Sequence, residues 1–266
     1  MRIGIYLFCL TPEKPLPEVT GTGIDGEHPL LVEDIGMIAA VFSEVNLEDF
    51  TGPEAQARLE DLAWIGPRAL CHEEVIMAVM EHVPVLPVRF GTVFSSLEAM
   101  KEPLRRHRDT WSSFFRNTAG KKEWSIRAYV DRVQARSQIM NWRLAEEKGQ
   151  LESLSPGKRY FLEQKIKGAV EREVTSWLKG ISEDILNIVQ EVSLSFSERR
   201  LLSREVTGLD SEMFFHGAFL VPDHSVDVLQ GLTGDWNSHH EAQGLRLELS
   251  GPWPPYHFAP VLDMQG

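Results

Sequence analysis

The chain has 266 residues, of which 42% are hydrophobic and 25% are charged. This composition is typical of a soluble globular protein with a hydrophobic core, and the length suits one large domain or two ordinary ones. A formal net charge of −12 argues against a general nucleic-acid binder, and two cysteines are too few for a disulfide framework. Two separated cysteines instead favour a reducing, cytoplasmic setting.

The longest apolar runs, 3–10 and 83–88, are short, and prolines interrupt the second. A membrane span needs roughly 20 apolar residues, so neither run predicts one. The N-terminal run lacks a small-residue cleavage site, and we therefore expect a first β-strand and not a signal peptide.

The charges are unevenly distributed along the chain. Residues 1–60 carry a net charge of −8, residues 101–180 carry +8 and residues 181–266 carry −9. One explanation is a long solvated helix whose basic residues pair with neighbouring glutamates. The other is a basic face that docks an acidic partner or the chain's own acidic part.

The periodicity of the first half predicts three strands, two helices, a strand and a helix. In chain order these cover 2–10, 29–33, 37–43, 53–64, 67–81, 85–94 and 96–115. The polar, glycine-containing segment 117–123 is the best candidate for a domain boundary.

The periodicity of the second half predicts a strand over 124–131 and then helical sequence to about 192, with a break near 155–157. Two strands, over 194–206 and 212–221, follow. A helix over 222–239 and a last strand over 245–249 complete this half. The resulting βαββαβ order is that of the ferredoxin-like fold. We therefore predict an α+β protein of two domains. Residues 1–120 form an irregular, ferredoxin-related N-terminal α+β domain. Residues 121–266 form a ferredoxin-like C-terminal domain with a long helical segment and a C-terminal strap.

Two short motifs resemble catalytic or cofactor signatures and fail on context. Residues 21–26 satisfy GxGxxG, but a dinucleotide site needs a helix after the glycines, and here a strand is predicted. His72-Glu73 starts an HExxH pattern, but position 76 is isoleucine, so the second zinc ligand is missing. We interpret the glycines as turn residues and His72 as a solvated or hydrogen-bonded residue on the edge of an amphipathic helix.

The remaining histidines give no stronger signal. His239 and His240 are adjacent on a predicted helix and point about 100° apart, so a shared metal ion is not expected. His216 is predicted to be a satisfied strand histidine. We predict no metal site and no cofactor.

Arg89 precedes a glycine at the end of a predicted strand. An arginine in such a position can bind a carboxylate or another anion of a partner. It can equally stabilise the turn through local carbonyl groups. Both interpretations stay open.

The segment 251–258 has the sequence GPWPPYHF, which we call the strap. Its three prolines restrict the backbone to a stiff, extended path that costs little entropy to order. Trp253, Tyr256 and Phe258 are then presented in fixed directions, either to complete the core over the last sheet or to bind another chain. Together with Arg89, these three aromatic residues are our candidate partner-binding residues.

The whole chain resembles the F/L family of gas vesicle proteins. The similarity is carried by IYLF at 5–8, GIDG at 23–26, HEEV at 72–75, VLPVRFGT at 85–92, GAFLV at 217–221 and GPWPPY-F at the C-terminus. The strap and the LPVRFGT block are its most specific parts. Cys9 and Cys71 depart from the family pattern, and the sequence of the middle is individual.

The resemblance implies a non-catalytic, cytoplasmic protein associated with gas vesicles and needed to build these buoyancy organelles. It implies two α+β domains, and it implies contact with the small hydrophobic shell protein and with other accessory proteins. It supplies no catalytic residues. We expect no membrane, nucleic-acid or small-molecule partner.

Two other functions follow from the residues themselves. A small-molecule-binding protein or enzyme on a ferredoxin-like domain needs a deep pocket in which charged groups such as Arg89 and His72 converge. Nucleic-acid binding by residues 101–180 needs its basic groups on one face together with Trp111, Trp124 or Trp142.

Overall fold

A computed structural model describes residues 2–12, 19–147 and 155–260. The chain forms two compact units. The first is Met1–Glu123 together with Pro252–Gly266, and the second is Trp124–Gly251.

The first unit contains an antiparallel sheet whose long strands are β1 (Ile3–Pro12), β2 (Leu30–Asp34) and β3 (Ile38–Asn46). Two short strands, β4 (Leu86–Pro87) and β5 (Val93–Phe94), both pair with β1. The strand order is β2-β3-β1-β4. The predicted single strand over 85–94 is therefore wrong, because a turn at 89–92 interrupts it.

Helices cover both faces of this sheet, which explains the continuous apolar run of β1. They are α1 (Pro53–Glu60), α2 (Leu62–Met80), α3 (Leu97–Arg106) and α4 (Arg108–Thr118), with a short 3-10 helix at Leu47–Asp49. Leu7 and Leu10 pack with Met100 and Trp111 in one core cluster. Tyr6 and Phe8 pack with residues of α2 in another.

The start of α2 differs from the sequence prediction, which places the helix break at Gly66-Pro67. The Asp61 carboxylate accepts a hydrogen bond from the Ala63 N–H at 2.9 Å and caps the helix five residues earlier. Pro67 therefore lies inside α2, where its missing N–H removes one intrahelical hydrogen bond.

The second unit is built on β6 (Lys121–Val130), β7 (Ser195–Glu198), β8 (Glu212–Pro222) and β9 (Leu245–Trp253), in the order β7-β8-β6-β9. Its helices are α5 (Arg132–Glu146), the 35-residue α6 (Pro156–Gln190), α7 (Arg204–Thr207) and α8 (Val226–His240). Short 3-10 helices lie at Asp223–Ser225 and Glu241–Gln243. The core of this unit joins Ile126 and Phe219 of the sheet to Val174, Ile185 and Leu229 of the helices.

The predicted mixture of helices and strands is confirmed, since both units combine an antiparallel sheet with helices. The predicted strand over 194–206 is too long. It ends at Glu198, and a helical turn, α7, follows at Arg204–Thr207. The division into folding domains at residue 120 stays a prediction.

From Pro252 onwards the strap lies in the first unit, although Gly251–Trp253 still end β9, whereas the sequence prediction assigns all of it to the second domain. The reason is its contacts, because Tyr256 packs with the core cluster of Tyr6 and Phe8. Within the described residues, no helix combines the length and the apolar character that crossing a membrane requires.

Candidate partner-binding site

The LPVRFGT block forms a tight turn that is fastened to β1. The Arg89 carbonyl accepts hydrogen bonds from the Thr92 N–H at 3.2 Å and from the Thr92 hydroxyl at 2.7 Å. Gly91 has a φ of 81°, a conformation that glycine adopts without strain. On either side of the turn, Val88 N–H donates to the Phe8 carbonyl and Leu7 N–H donates to the Thr92 carbonyl, each at 3.0 Å. The block is thus a turn bonded to β1 at both ends.

A buried hydrogen-bond network under this turn involves Tyr6 and His72. His72 Nε2 lies 3.0 Å from the Val88 carbonyl, which can only accept, so Nε2 carries the proton. His72 Nδ1 then accepts from the Tyr6 hydroxyl at 2.9 Å, and the Tyr6 oxygen accepts from the Gly91 N–H at 3.1 Å. The network joins α2, β1 and the turn through one neutral imidazole.

The surroundings favour the uncharged forms of both side chains. His72 is 3% exposed. Burial lowers its pKa from 6.5 to about 4, and the hydrogen bond to the Val88 carbonyl opposes this shift. Burial likewise raises the pKa of Tyr6 above its ordinary value of 10. His72 is therefore neutral at pH 7 and stabilises the fold as a hydrogen-bonding core residue.

Tyr256 fastens the strap to α2. Its hydroxyl donates to Glu73 Oε2 at 2.8 Å, while its ring packs with the cluster that contains Tyr6 and Phe8. Burial, followed by the hydrogen bond to Glu73, raises the pKa of Tyr256 above its ordinary value. The hydroxyl and the ring of Tyr256 therefore both make contacts within the first unit.

The next residue of the strap makes a second anchor. Glu123 is a buried carboxylate, and it accepts a hydrogen bond from the His257 N–H at 3.0 Å and a second from His257 Nδ1. A buried carboxylate needs such donors because its desolvation is costly. Glu73 and Glu123 thus hold consecutive strap residues in place.

Two of the other candidate partner-binding residues, Trp253 and Arg89, are more exposed than Tyr256, and Phe258 is half-buried, as Tyr256 is. Trp253 is 38% exposed. Arg89 is exposed, and its guanidinium makes no ion pair with any residue of 2–12, 19–147 or 155–260. The carbonyl of Arg89, and not its side chain, holds the turn together.

Arg89 and His72 do not share one environment, since His72 is buried in the core while Arg89 is exposed. The described part of the chain contains no cluster of three His, Cys, Asp or Glu side chains suited to a metal ion. His239 and His240 each donate from Nδ1 to the carbonyl four residues before, at 2.7 and 2.9 Å. His216 similarly donates from Nδ1 to the Arg200 carbonyl at 3.0 Å.

The second unit contains a charged cleft of about 970 Å³, whose lining includes Arg132, Arg136, Arg204, Glu171 and Glu212. Arg132 makes two hydrogen bonds to Glu212, at 2.9 and 2.7 Å, and one to Glu171 at 2.9 Å. Arg136 also bonds Glu171, at 2.6 Å. Arginine therefore lowers the pKa of both carboxyl groups. Because its charges neutralise one another, the cleft supports an ion-pair network more than a ligand site.

The basic middle of the chain follows the same pattern. Arg106 pairs with Glu102, Lys101 with Glu33, and Arg143 with Glu173. Trp111 and Trp124 are buried, so neither can stack on a nucleic-acid base. These contacts favour the interpretation of a solvated, internally paired segment.

Sequence reasoning identified the strap but missed the two carboxylates that hold it, Glu73 and Glu123. Glu73 follows His72 in the motif, yet nothing in its spacing indicates a partner 183 residues away. Glu123 had one weak signal, because it stands between Lys122 and Trp124 where a strand begins. Tyr6 lies in the predicted first strand, and its hydroxyl gave no separate indication.

The chain matches the family model described as gas vesicle synthesis protein GvpL/GvpF over residues 4–260. It is 25% identical to gas vesicle protein L of Streptomyces sp. (strain CB03234), over 97% of this chain and 93% of that protein. It is also 25% identical to gas vesicle protein F of Dolichospermum flosaquae, over 97% of this chain and 98% of that protein.

Two crystal structures share the fold. The gas vesicle protein GvpF from Anabaena sp. PCC7120 superposes with a TM-score of 0.72 at 21% identity, covering 98% of this chain and 99% of that one. GvpF from Microcystis aeruginosa gives a TM-score of 0.62 at 20% identity, covering 97% and 99%. Because the family model spans nearly the whole chain, including the turn at 89–92 and the strap, this protein belongs to the GvpL/GvpF family of gas vesicle synthesis proteins.

Proposed function

We propose that this protein is a non-catalytic accessory of gas vesicle assembly that binds the small hydrophobic shell protein before or during its polymerisation. The observation that carries the proposal is the match of residues 4–260 to a family of gas vesicle synthesis proteins. Other accessory proteins of the same process are the further partners, and the protein acts in the cytoplasm at growing vesicles.

The proposed role answers a physical problem of the shell. A subunit that forms a wall wet on one side and dry on the other exposes apolar surface before it is assembled, and such surface aggregates. A soluble chain with a net charge of −12 and an apolar docking surface can hold that subunit in solution and deliver it to the growing wall.

The candidate contacts in the strap are Trp253 and Phe258. Arg89, on the turn, is the candidate residue for binding a carboxylate of the partner. Trp253 carries most weight, because tryptophans that are ordered in the free protein bury a large area at little cost in entropy. Tyr256 contributes less, since its hydroxyl already donates to Glu73. The exposed edges of the two sheets are the alternative contacts.

Co-purification with the coexpressed shell protein tests the proposal. We expect the wild-type protein to capture the shell protein and Trp253→Ala to capture several-fold less, as loss of an interface tryptophan costs more than about 1 kcal/mol. Trp142→Ala is the matched control, because Trp142 is 40% exposed against 38% for Trp253 and lies in the second unit. Failure of the wild type to co-purify would contradict the function itself.

A structural version of the role has the protein staying on the finished wall as a minor component. Washing intact vesicles and probing for the protein separates the two versions. Retention through a wash that removes loosely bound proteins supports the wall component, whereas loss under mild washing supports an assembly factor that is released.

We also propose that the second unit has the ferredoxin-like fold. Its element order is β6, helices, β7, the helical turn α7, β8, α8 and β9, with the sheet order β7-β8-β6-β9. A crystal structure of this chain that showed a different connection between these strands would overturn the assignment.

A further inference from the structure

Helix α2 is apolar on both its buried and its exposed sides. Between Leu62 and Met80 it carries Arg68, Glu73 and Glu74 as its charged residues at neutral pH, since His72 is neutral. Its inner side packs Val75, Ile76 and Val79 into the core. A surface helix of a globular protein normally places charged residues on the opposite side.

The outer face of α2 consists of Ala63, Gly66, Pro67, Leu70, Glu74 and Ala78, all of them exposed. These positions recur every three to four residues, so they form one continuous surface along the helix. Leu70, at the middle, is 61% exposed, and Leu62, at the start of the helix, is 83% exposed. Glu74 is the one charged member of this face.

The two flanks of this face are occupied, whereas its own members are exposed among the residues that the structure describes. On one flank Glu73 accepts the hydrogen bond from Tyr256. On the other flank the Trp64 ring contacts Phe50 at a centroid distance of 5.5 Å and carries the Arg68 guanidinium at 4.1 Å. A Cβ built on Gly66, between the flanks, meets no atom within 4 Å.

We propose that the outer face of α2 docks the shell protein through a helix that is apolar on one side and flanked by basic residues. The inference rests on the proposed function and adds the surface and the chemistry of the contact. The mode is the packing of an amphipathic helix against an apolar helix face, with Leu70 as the central contact.

The charges around the face argue for a basic partner. Between residues 61 and 81 the carboxylates are Asp61, Glu73, Glu74 and Glu81, while Arg68 is the one basic residue and already lies over Trp64. A second copy of this chain would bring the same carboxylates together across the contact, at a cost in like-charge repulsion. A helix flanked by lysine or arginine gains from them instead.

The size of the face suits reversible binding. Helix α2 has 19 residues and is therefore about 28 Å long. One helix packed along that length buries less than the ~800 Å² per partner of a stable complex. Weak binding of this kind allows the accessory to release its client to the growing wall.

Substitutions on exposed leucines test the surface by co-purification with the coexpressed shell protein. We expect Leu70→Gln to lower the yield of captured shell protein at least about fivefold, because it removes the central apolar contact. Leu201→Gln is the matched control, since Leu201 is 47% exposed in the second unit and lies outside any strand, and it should leave the yield unchanged. Both variants should keep the wild-type melting temperature, as surface substitutions rarely change stability by more than ~0.5 kcal/mol.

Glu74, the charged member of the outer face, is tested by a variant of its own. Glu74→Gln should lower the yield by a smaller factor than Leu70→Gln, and its complex should be less sensitive to added salt than that of the wild type. Equal salt sensitivity of the two complexes would contradict the prediction that basic residues flank the partner helix.

The outcomes separate this inference from the proposed function. If the wild type captures no shell protein, both the proposed function and the proposed docking surface are wrong. If the wild type and Leu70→Gln capture it equally, the function stands and the surface is wrong. If the wild type alone is a dimer in sedimentation analysis and Leu70→Gln is a monomer, the face binds a second copy and the inference is overturned.

Discussion

At the scale of single residues, His72 shows how burial decides the role of a titratable group. Both ring nitrogens are used, one by the Val88 carbonyl and one by the Tyr6 hydroxyl, and burial, which lowers the pKa to about 4, keeps the imidazole neutral. Protonation would place a second N–H against the Tyr6 hydroxyl in a site that excludes water. The side chain therefore stabilises the first unit only while it is uncharged.

The pH dependence of stability follows from this arrangement. His72 has a pKa of about 4 in the folded protein and 6.5 as its ordinary value, so the unfolded chain takes up the proton first. Its contribution is complete above pH 6.5 and is lost as the pH falls from 6.5 towards 4, by up to roughly 3 kcal/mol. Urea unfolding of the wild type across pH 4 to 7 measures this loss.

The variant His72→Gln isolates that contribution from the other groups that titrate in acid. Glutamine can still donate to the Val88 carbonyl but does not titrate. The difference in free energy of unfolding between wild type and variant should therefore shrink as the pH falls from 6.5 to 4. A difference that stays constant over this range would contradict the neutral, buried histidine.

At the scale of elements, the last strand illustrates how an open sheet edge is protected. β9 lies at the edge of the second sheet, beside β6. The side chain of Asn237, on α8, donates to the Leu247 carbonyl at 3.0 Å and accepts from the Leu247 N–H at 2.7 Å. The two backbone groups of a strand residue point the same way, so Asn237 occupies the outer edge at this position. An amide side chain thereby replaces the neighbouring strand that would otherwise bind there.

We expect Asn237→Ala to destabilise the second unit by about 1–3 kcal/mol, because the buried Leu247 backbone loses both of its partners. The variant should also aggregate more readily, since part of the edge becomes available to another chain. Chemical unfolding and light scattering measure the two effects. Ser238→Ala is the control on the same helix, where the exposed hydroxyl donates to the Gly234 carbonyl of its own helix. Equal stability of the two variants would argue against edge protection.

At the scale of the whole molecule, the chain returns to its first unit at the end. Residues 252–266 belong to the unit built by Met1–Glu123, although the 128 residues of Trp124–Gly251 separate the two stretches. Tyr256 bonds Glu73 and His257 bonds Glu123, so these two contacts of the first unit form only when the strap is in place. These two contacts span 183 and 134 residues of sequence.

Truncation after Trp253, where β9 ends, should therefore weaken the first unit and spare the second. Loss of the rest of the strap leaves the buried Glu123 and the partly buried Glu73 without their donors, at a cost of at least about 2 kcal/mol. Hydrogen exchange should show faster exchange of the amides of β1 and α2, with the amides of α6 and β8 unchanged. Uniform acceleration in both units, or none in either, would contradict this assignment of the strap.

Most of the long elements were predictable because their pattern is local. The apolar periodicity of residues 162–192 predicted the helix now seen as α6, and the apolar run of residues 2–10 predicted β1. The errors arose where a long-range contact outweighs a local signal. The strand predicted over 85–94 is divided at its turn because the segment pairs with β1 on both sides of Gly91.

The candidate site was only partly predictable for the same reason. The strap and Arg89 stand out by composition and by family resemblance, so the sequence pointed to them. Glu73, Glu123 and Tyr6 are ordinary residue types in ordinary positions, and their roles arise from partners 183, 134 and 66 residues away. No local pattern specifies such a pairing.

The sequence by itself determined the family, the mixed α/β composition and which residues form the strap, because these depend on residue types and on short-range periodicity. Only the tertiary structure decided that the strap closes on the first unit, that His72 is a neutral core residue and that one side of α2 is left apolar and uncovered. Each of these depends on which side chains meet across the fold, and burial sets their charge and their availability to a partner.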